Sequence, residues 1–207
     1  DLLVSSARVE AAGYGSWTRL QEVVELAREM GYQKIGIPHC LDMASMAGRI
    51  ADHLATQGLT PLLPFPSQRH DPRHQAGLLR HEGTQVNVLG GMCVGHEAIF
   101  IQASDVPVIT LVARDERLRH NPAAALYTSR SYSRSELFGH WRRGDRPPYQ
   151  GWDEDLVLAT SAELHGDGDR PRSRLAETMD LAHTLGVRRM GISFCVGFRS
   201  EAATLTR

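Results

Sequence analysis

Cys93 and His96 stand three residues apart, just past two glycines, in the run Asn87-Val88-Leu89-Gly90-Gly91-Met92-Cys93-Val94-Gly95-His96. If they open a helix, the two side chains lie one turn apart on the same face. A soft sulfur and an imidazole nitrogen at that spacing suit zinc or another thiophilic transition metal, iron or an iron–sulfur group included. Two ligands leave such a metal short, so the remainder must come from elsewhere in the chain. Cys40 and His70 are ligand types that each follow a short apolar run, and His39 precedes Cys40 directly. The opposing reading is a plain strand–helix corner, with a buried cysteine and a histidine capping the helix.

Other chemistry for the same residues is weaker. Cys93 as a thiolate nucleophile, with His96 or His120 as its base, needs side chains that converge, whereas one-turn neighbours on a helix run nearly parallel. Gly91, Gly95, Arg114, His120 and Asn121 form a candidate set for holding a small anion or metabolite at helix N-termini. Neither a G-x-G-x-x-G nor a Walker pattern is present, which removes the standard nucleotide pockets.

The elements that must position these residues alternate in type. Residues 1–12 read as a helix. Ser16 or Thr18 caps the next helix, with Gln21 or Glu22 completing a capping box, and Leu20, Val23, Val24, Ala27 and Met30 form its buried stripe. Strands are expected near 34–38, 59–63, 86–89 and 106–113. Helices lie between them, at 43–57, from Pro72 to 81, and just after Cys93. Pro61 and Pro64 assign the second strand to an edge. A further helix is expected after His120-Asn121-Pro122. This alternation predicts an α/β fold in three layers, a mostly parallel sheet of four to five strands of Rossmann-like or flavodoxin-like type. In such sheets ligands collect beyond the strand C-termini. Cys40, His70, Cys93 with His96, and Arg114 with His120 and Asn121 each follow one of the four strands, so topology gathers them on one rim.

Residues 19–50 and 174–205 align without a gap. Arg19-Leu20 matches Arg174-Leu175, Glu22 matches Glu177, Gly31 matches Gly186, Gly36-Ile37 matches Gly191-Ile192, and Cys40 matches Cys195. The expected organisation is a complete α/β domain over 1–130, a linker over 131–151 rich in Arg, Ser, Gly and Pro, and over 152–207 a second copy of the first half of the same unit. The second copy has no counterpart of Cys93 and His96. Its strand is expected to join the first sheet or to pair with another chain, as in a homo-oligomer. Cys195 reads as a buried small hydrophobe.

The 207 residues carry a formal net charge of −1, which removes the electrostatic case for nucleic acid. No stretch approaches the roughly 20 apolar residues of a membrane span, and no basic-then-apolar signal peptide is expected from the first residues given. Three cysteines that cannot all pair point to a reducing cytoplasm. The chain starts at Asp1 without Met and stops at Arg207 within a helical pattern, which suggests a fragment.

The runs from Gly91 to Glu97, from Pro107 to Val112 and from His120 to Tyr127, with Thr18-Arg19-Leu20 and the stretch from Gly31 to Ile37, resemble an uncharacterised prokaryotic family, domain of unknown function 1847. The resemblance covers roughly 1–130 and again 153–205. It implies a metal-binding role without an established reaction. Members carry a cysteine-rich N-terminal segment that is absent here, and a cysteine where this chain has His70. That exchange preserves a ligand but hardens it.

Overall fold

The computed structural model describes residues 1–65, 71–134, 147–149, 151–166 and 171–206. Contacts divide the chain into two units, one of residues 1–92 and 97–112, the other of residues 93–96 and 113–207.

The first unit opens with α1 (Leu2–Gly13) and α2 (Arg19–Met30), then β1 (Lys34–Gly36), a 3-10 turn (Leu41–Met43), α3 (Ala44–Thr56), β2 (Thr60–Leu62), α4 (Pro72–His81), β3 (Val86–Gly90), α5 (Val94–Ala103) and β4 (Val108–Val112). The start of α2 is fixed locally. Thr18 Oγ1 accepts from the Gln21 amide, and the Gln21 side chain accepts from the Thr18 amide, a full capping box. Asp71 caps α4, with Pro72 at its first turn.

The four strands pair in the order β2-β1-β3-β4, all parallel. Pro61 sits on the edge strand, where a missing amide costs no interior ladder bond. Residue alternation along β3 sorts the core into two layers. Val86 and Val88 pack with Ile35 and Ile37 of the β1 segment and with Val23 and Val24 of α2 and Ile50 and Leu54 of α3. Leu89 packs with Ala76 and Leu79 of α4, Phe100 of α5, and Met92 from the segment between β3 and α5. β3 is buried along its whole length, as a central strand covered on both faces must be. The chain is thus a three-layer α/β protein of Rossmann-like type. No described helix is long and apolar enough to cross a membrane.

The second unit contains α6 (Ala123–Tyr127), α7 (Glu154–Gly166), α8 (Arg174–Thr184), a 3-10 turn (Val196–Phe198) and α9 (Arg199–Leu205). α7 packs on α8, and α9 on α6. At an offset of 155 residues its elements follow those of the first unit. Ser173 caps α8 as Thr18 caps α2, and Gly186 closes it in the left-handed region as Gly31 closes α2. Cys195 precedes its 3-10 turn with φ −78° and ψ 154°, beside −79° and 157° at Cys40. The parallel stops at the strand. Residues 189–195 are not a strand, and residues 188–200 are exposed, so the expected fifth strand is absent among the described residues. A strand without a ladder partner has nothing to hold it. Cys195 accordingly lies exposed rather than buried. Of the expected linker, only residues 131–134, 147–149 and 151 are among those described.

Candidate metal centre

The ends of β1 and β3 are stitched together beyond the strands themselves. The Gly90 amide donates to Pro38 O at 3.0 Å, and the Cys40 amide donates to Gly91 O at 2.9 Å. Gly91 has φ +113°, a conformation that side-chain-bearing residues rarely adopt, and Met43 packs where its Cβ would stand. Cys40 O in turn accepts from Met43 N at 2.9 Å, which starts the 3-10 turn. These bonds fix where Cys40 sits relative to the chain leaving β3.

Cys93 follows two residues after that junction. It lies just before the first residue of α5, and His96 is the third residue of that helix, so the two side chains stand about the first turn. Cys93 is buried, while His96 and Cys40 are half-buried. The Cys40 Sγ, the Cys93 Sγ and one His96 ring nitrogen all lie within 4.8 Å of one another. A tetrahedral zinc, with bonds of about 2.3 Å to sulfur and about 2.0–2.1 Å to nitrogen, brings its ligand atoms to roughly 3.5–3.8 Å. Small side-chain rotations therefore close the set around an ion. Two thiols and an imidazole are also the donors that such an ion prefers. The trio is a group able to bind a metal.

The other sequence candidates are placed differently. His70 lies outside the described residues. His39 is buried and its Nδ1–H donates to Ile37 O at 2.9 Å, while Gln75 accepts from the His39 amide and donates to its carbonyl. His39 is therefore fastened into the β1 terminus and is not part of the group of three. Gly95 makes room: a Cβ there would lie 2.5 Å from the Ser161 Cβ. Arg114 pairs with Glu116. His120, at φ +64°, folds back so that its Nδ1 accepts from the Asp115 amide at 3.2 Å, and its own amide donates to Asp115 O at 2.7 Å. Asn121 is exposed, and its backbone bridges Leu118 and Ala124. Both residues build the turn before α6.

Three further residues of the second unit bear on the site, of which Ser161 had no sequence signal at all. Asp115, almost fully buried, accepts from the Leu118 amide at 2.8 Å and from the Arg174 amide at 2.7 Å, so one carboxylate organises a turn and the start of α8. The Ser161 Oγ lies 3.3 Å from the Cys93 Sγ. Burial pushes the half-buried Glu177 carboxyl from 4.5 up to about 7. Arg174 and Arg114 oppose that rise, and Cys93 and Asp115 add to it. Glu177 aligns with Glu22, so the repeat marks the position but not its protonation.

The Glu177 displacement predicts a pH dependence. A carboxyl whose folded pKa is raised holds its proton more tightly folded than unfolded, so stability falls as pH climbs from about 4.5 to about 7. At about 1.4 kcal/mol per pH unit the ceiling is roughly 3 kcal/mol, which solvent screening of a half-buried group lowers. Glu177→Gln should flatten this part of the stability profile, as read by urea unfolding at pH 5 and pH 7.5. Parallel profiles for the two proteins would refute the assignment.

Residues 1–63, 67–111 and 145–207 match a family described as "Protein of unknown function (DUF1847)". The chain belongs to this family. The segments matched to DUF1847 include Cys40, Cys93 and His96 as well as Cys195. The chain is also 32% identical over 142 residues to "Uncharacterized protein MJ0455" of Methanocaldococcus jannaschii, an alignment covering 59% of this chain and 74% of that protein. No solved structure matches this DUF1847 chain.

Proposed function

We propose that the protein binds a thiophilic divalent metal, zinc first among them, through Cys40, Cys93 and His96 at the C-terminal rim of its parallel sheet. The observation that carries this reading is the approach of three soft donors, brought from two separate strand ends, to within 4.8 Å. Three protein ligands leave one position for water, a substrate or His70, and the first two of these are the arrangement of a reactive rather than a sealed zinc site. When bound, the ion would supply Lewis acidity and hold an oxygen ligand. The chain's own residues hold the thiols and the imidazole in place through Gly91, Met43 and the start of α5.

Cys40, Cys93 and Cys195 are in thiol form, in keeping with a reducing compartment such as the cytoplasm. The succession of capped helix, left-handed glycine, cysteine and 3-10 turn at an offset of 155 residues supports reading 152–207 as a second copy of the first half-unit.

The test is a cobalt titration of the metal-stripped protein, with cobalt standing in for zinc. The expected result is one equivalent bound, with a near-ultraviolet thiolate-to-cobalt absorption and a tetrahedral visible band. Absence of the thiolate band at saturating cobalt would overturn the proposal.

A further inference from the structure

We propose that Ser161 is a positioning residue for Cys93, its hydroxyl donating to the sulfur once this is a thiolate and setting how strongly that sulfur holds a metal. The inference rests on the metal-binding reading and names a residue from a distant helix as part of that site.

Ser161 lies in the body of α7, and its Oγ is 3.3 Å from the Cys93 Sγ. Both residues are buried, at 4% and 3% exposure, so water is a poor substitute for the contact. A thiol can donate to the serine oxygen, but a metal-bound sulfur carries no proton, and the hydroxyl must then be the donor. A hydrogen bond to an ionised acceptor is stronger than a neutral one. It also orients the sulfur and withdraws charge from it, as groups behind metal ligands commonly do.

Two further observations point the same way. Serine is a poorer helix former than alanine, so α7 gains nothing locally from a hydroxyl at this position. Gly95, between Cys93 and His96, is shaped to this serine. A Cβ at 95 would fall 2.5 Å from the Ser161 Cβ and 2.7 Å from its Oγ, and 3.1 Å from Val157 O. The glycine of the Cys-Val-Gly-His run thus admits α7 to the cysteine, a role that spacing within the run does not reveal.

The test compares wild type, Ser161→Ala and Ser161→Thr by cobalt titration against a chromophoric chelator, with circular dichroism melting alongside. Alanine keeps the helix and removes the donor, whereas threonine keeps the donor. The expected result is a 10- to 100-fold weaker cobalt affinity in S161A, a thiolate-to-cobalt band moved to lower energy because its sulfur is more electron-rich, and near wild-type values for both in S161T. Unchanged affinity and band position in S161A would overturn the role of Ser161 while leaving the metal site standing. Equal losses in S161A and S161T would also overturn it, since the hydroxyl would then not be the cause. A wild-type protein without a thiolate band would instead remove the metal reading itself.

Discussion

Cys93→Ala should cost the protein its metal and the stability that comes with it. One ligand of three is removed, and it is the buried one. Loss of a ligand outweighs loss of a group behind it, so cobalt or zinc affinity should fall by more than about 100-fold. Wild type at a metal concentration 100 times its dissociation constant gains about 2.7 kcal/mol. For a chain of this size that is roughly 5–10 °C in melting temperature. The variant should show almost none of this gain, and Cys40→Ala and His96→Ala should behave alike. Cys195→Ala is the control, because Cys195 is exposed and outside the group of three. Wild type and C93A melting together, with and without zinc, would count against the site, and a loss in C195A would relocate it.

Gly91→Ala should destabilise the protein by about 2–6 kcal/mol. A left-handed backbone at φ +113° costs about 1–3 kcal/mol for a residue with a side chain. The new Cβ would stand 2.6 Å from Met43 Cε and 2.8 Å from its Cγ, a further overpacking cost of about 1–3 kcal/mol. Met43 is itself buried in the turn that Cys40 starts, so it has little freedom to retreat. Gly77 gives the contrast. It lies in α4 with nothing within 4 Å of the place an added methyl would take, and Gly77→Ala should stabilise by about 0.5–1 kcal/mol. Urea unfolding of the two variants measures both effects. A G91A protein within about 1 kcal/mol of wild type would show that Gly91 is dispensable to the junction of β1 and β3.

Much of the first unit was legible because its signals are local. Thr18 and Gln21 cap α2 through bonds three residues apart. Pro72 starts α4, and Pro61 in β2 marks an edge. The grouping of Cys40 with Cys93 and His96 needed only the rule that parallel strands share one ligand-bearing rim. What the pattern could not give depends on partners remote in the chain. Residues 189–193 carry the same Gly-Ile core as β1, yet β1 is a strand because Thr60–Leu62 and Val86–Asn87 flank it, and no such flank exists for its later counterpart among the described residues. Ser161 looks like any helical serine until Cys93 is placed beside it. His120 and Asn121 resemble ligand residues in sequence, but their polar groups go to the turn before α6.

The exposed run near the C-terminus has a practical corollary for every melting measurement above. Met190, Ile192, Phe194, Val196 and Phe198 are each between 37% and 78% accessible, so large apolar side chains are already open on the native fold. Environment-sensitive dyes that brighten on apolar surface will light up before heating begins. Their starting signal will then include this exposed apolar surface beside cooperative unfolding, which makes calorimetry the sounder readout for this protein.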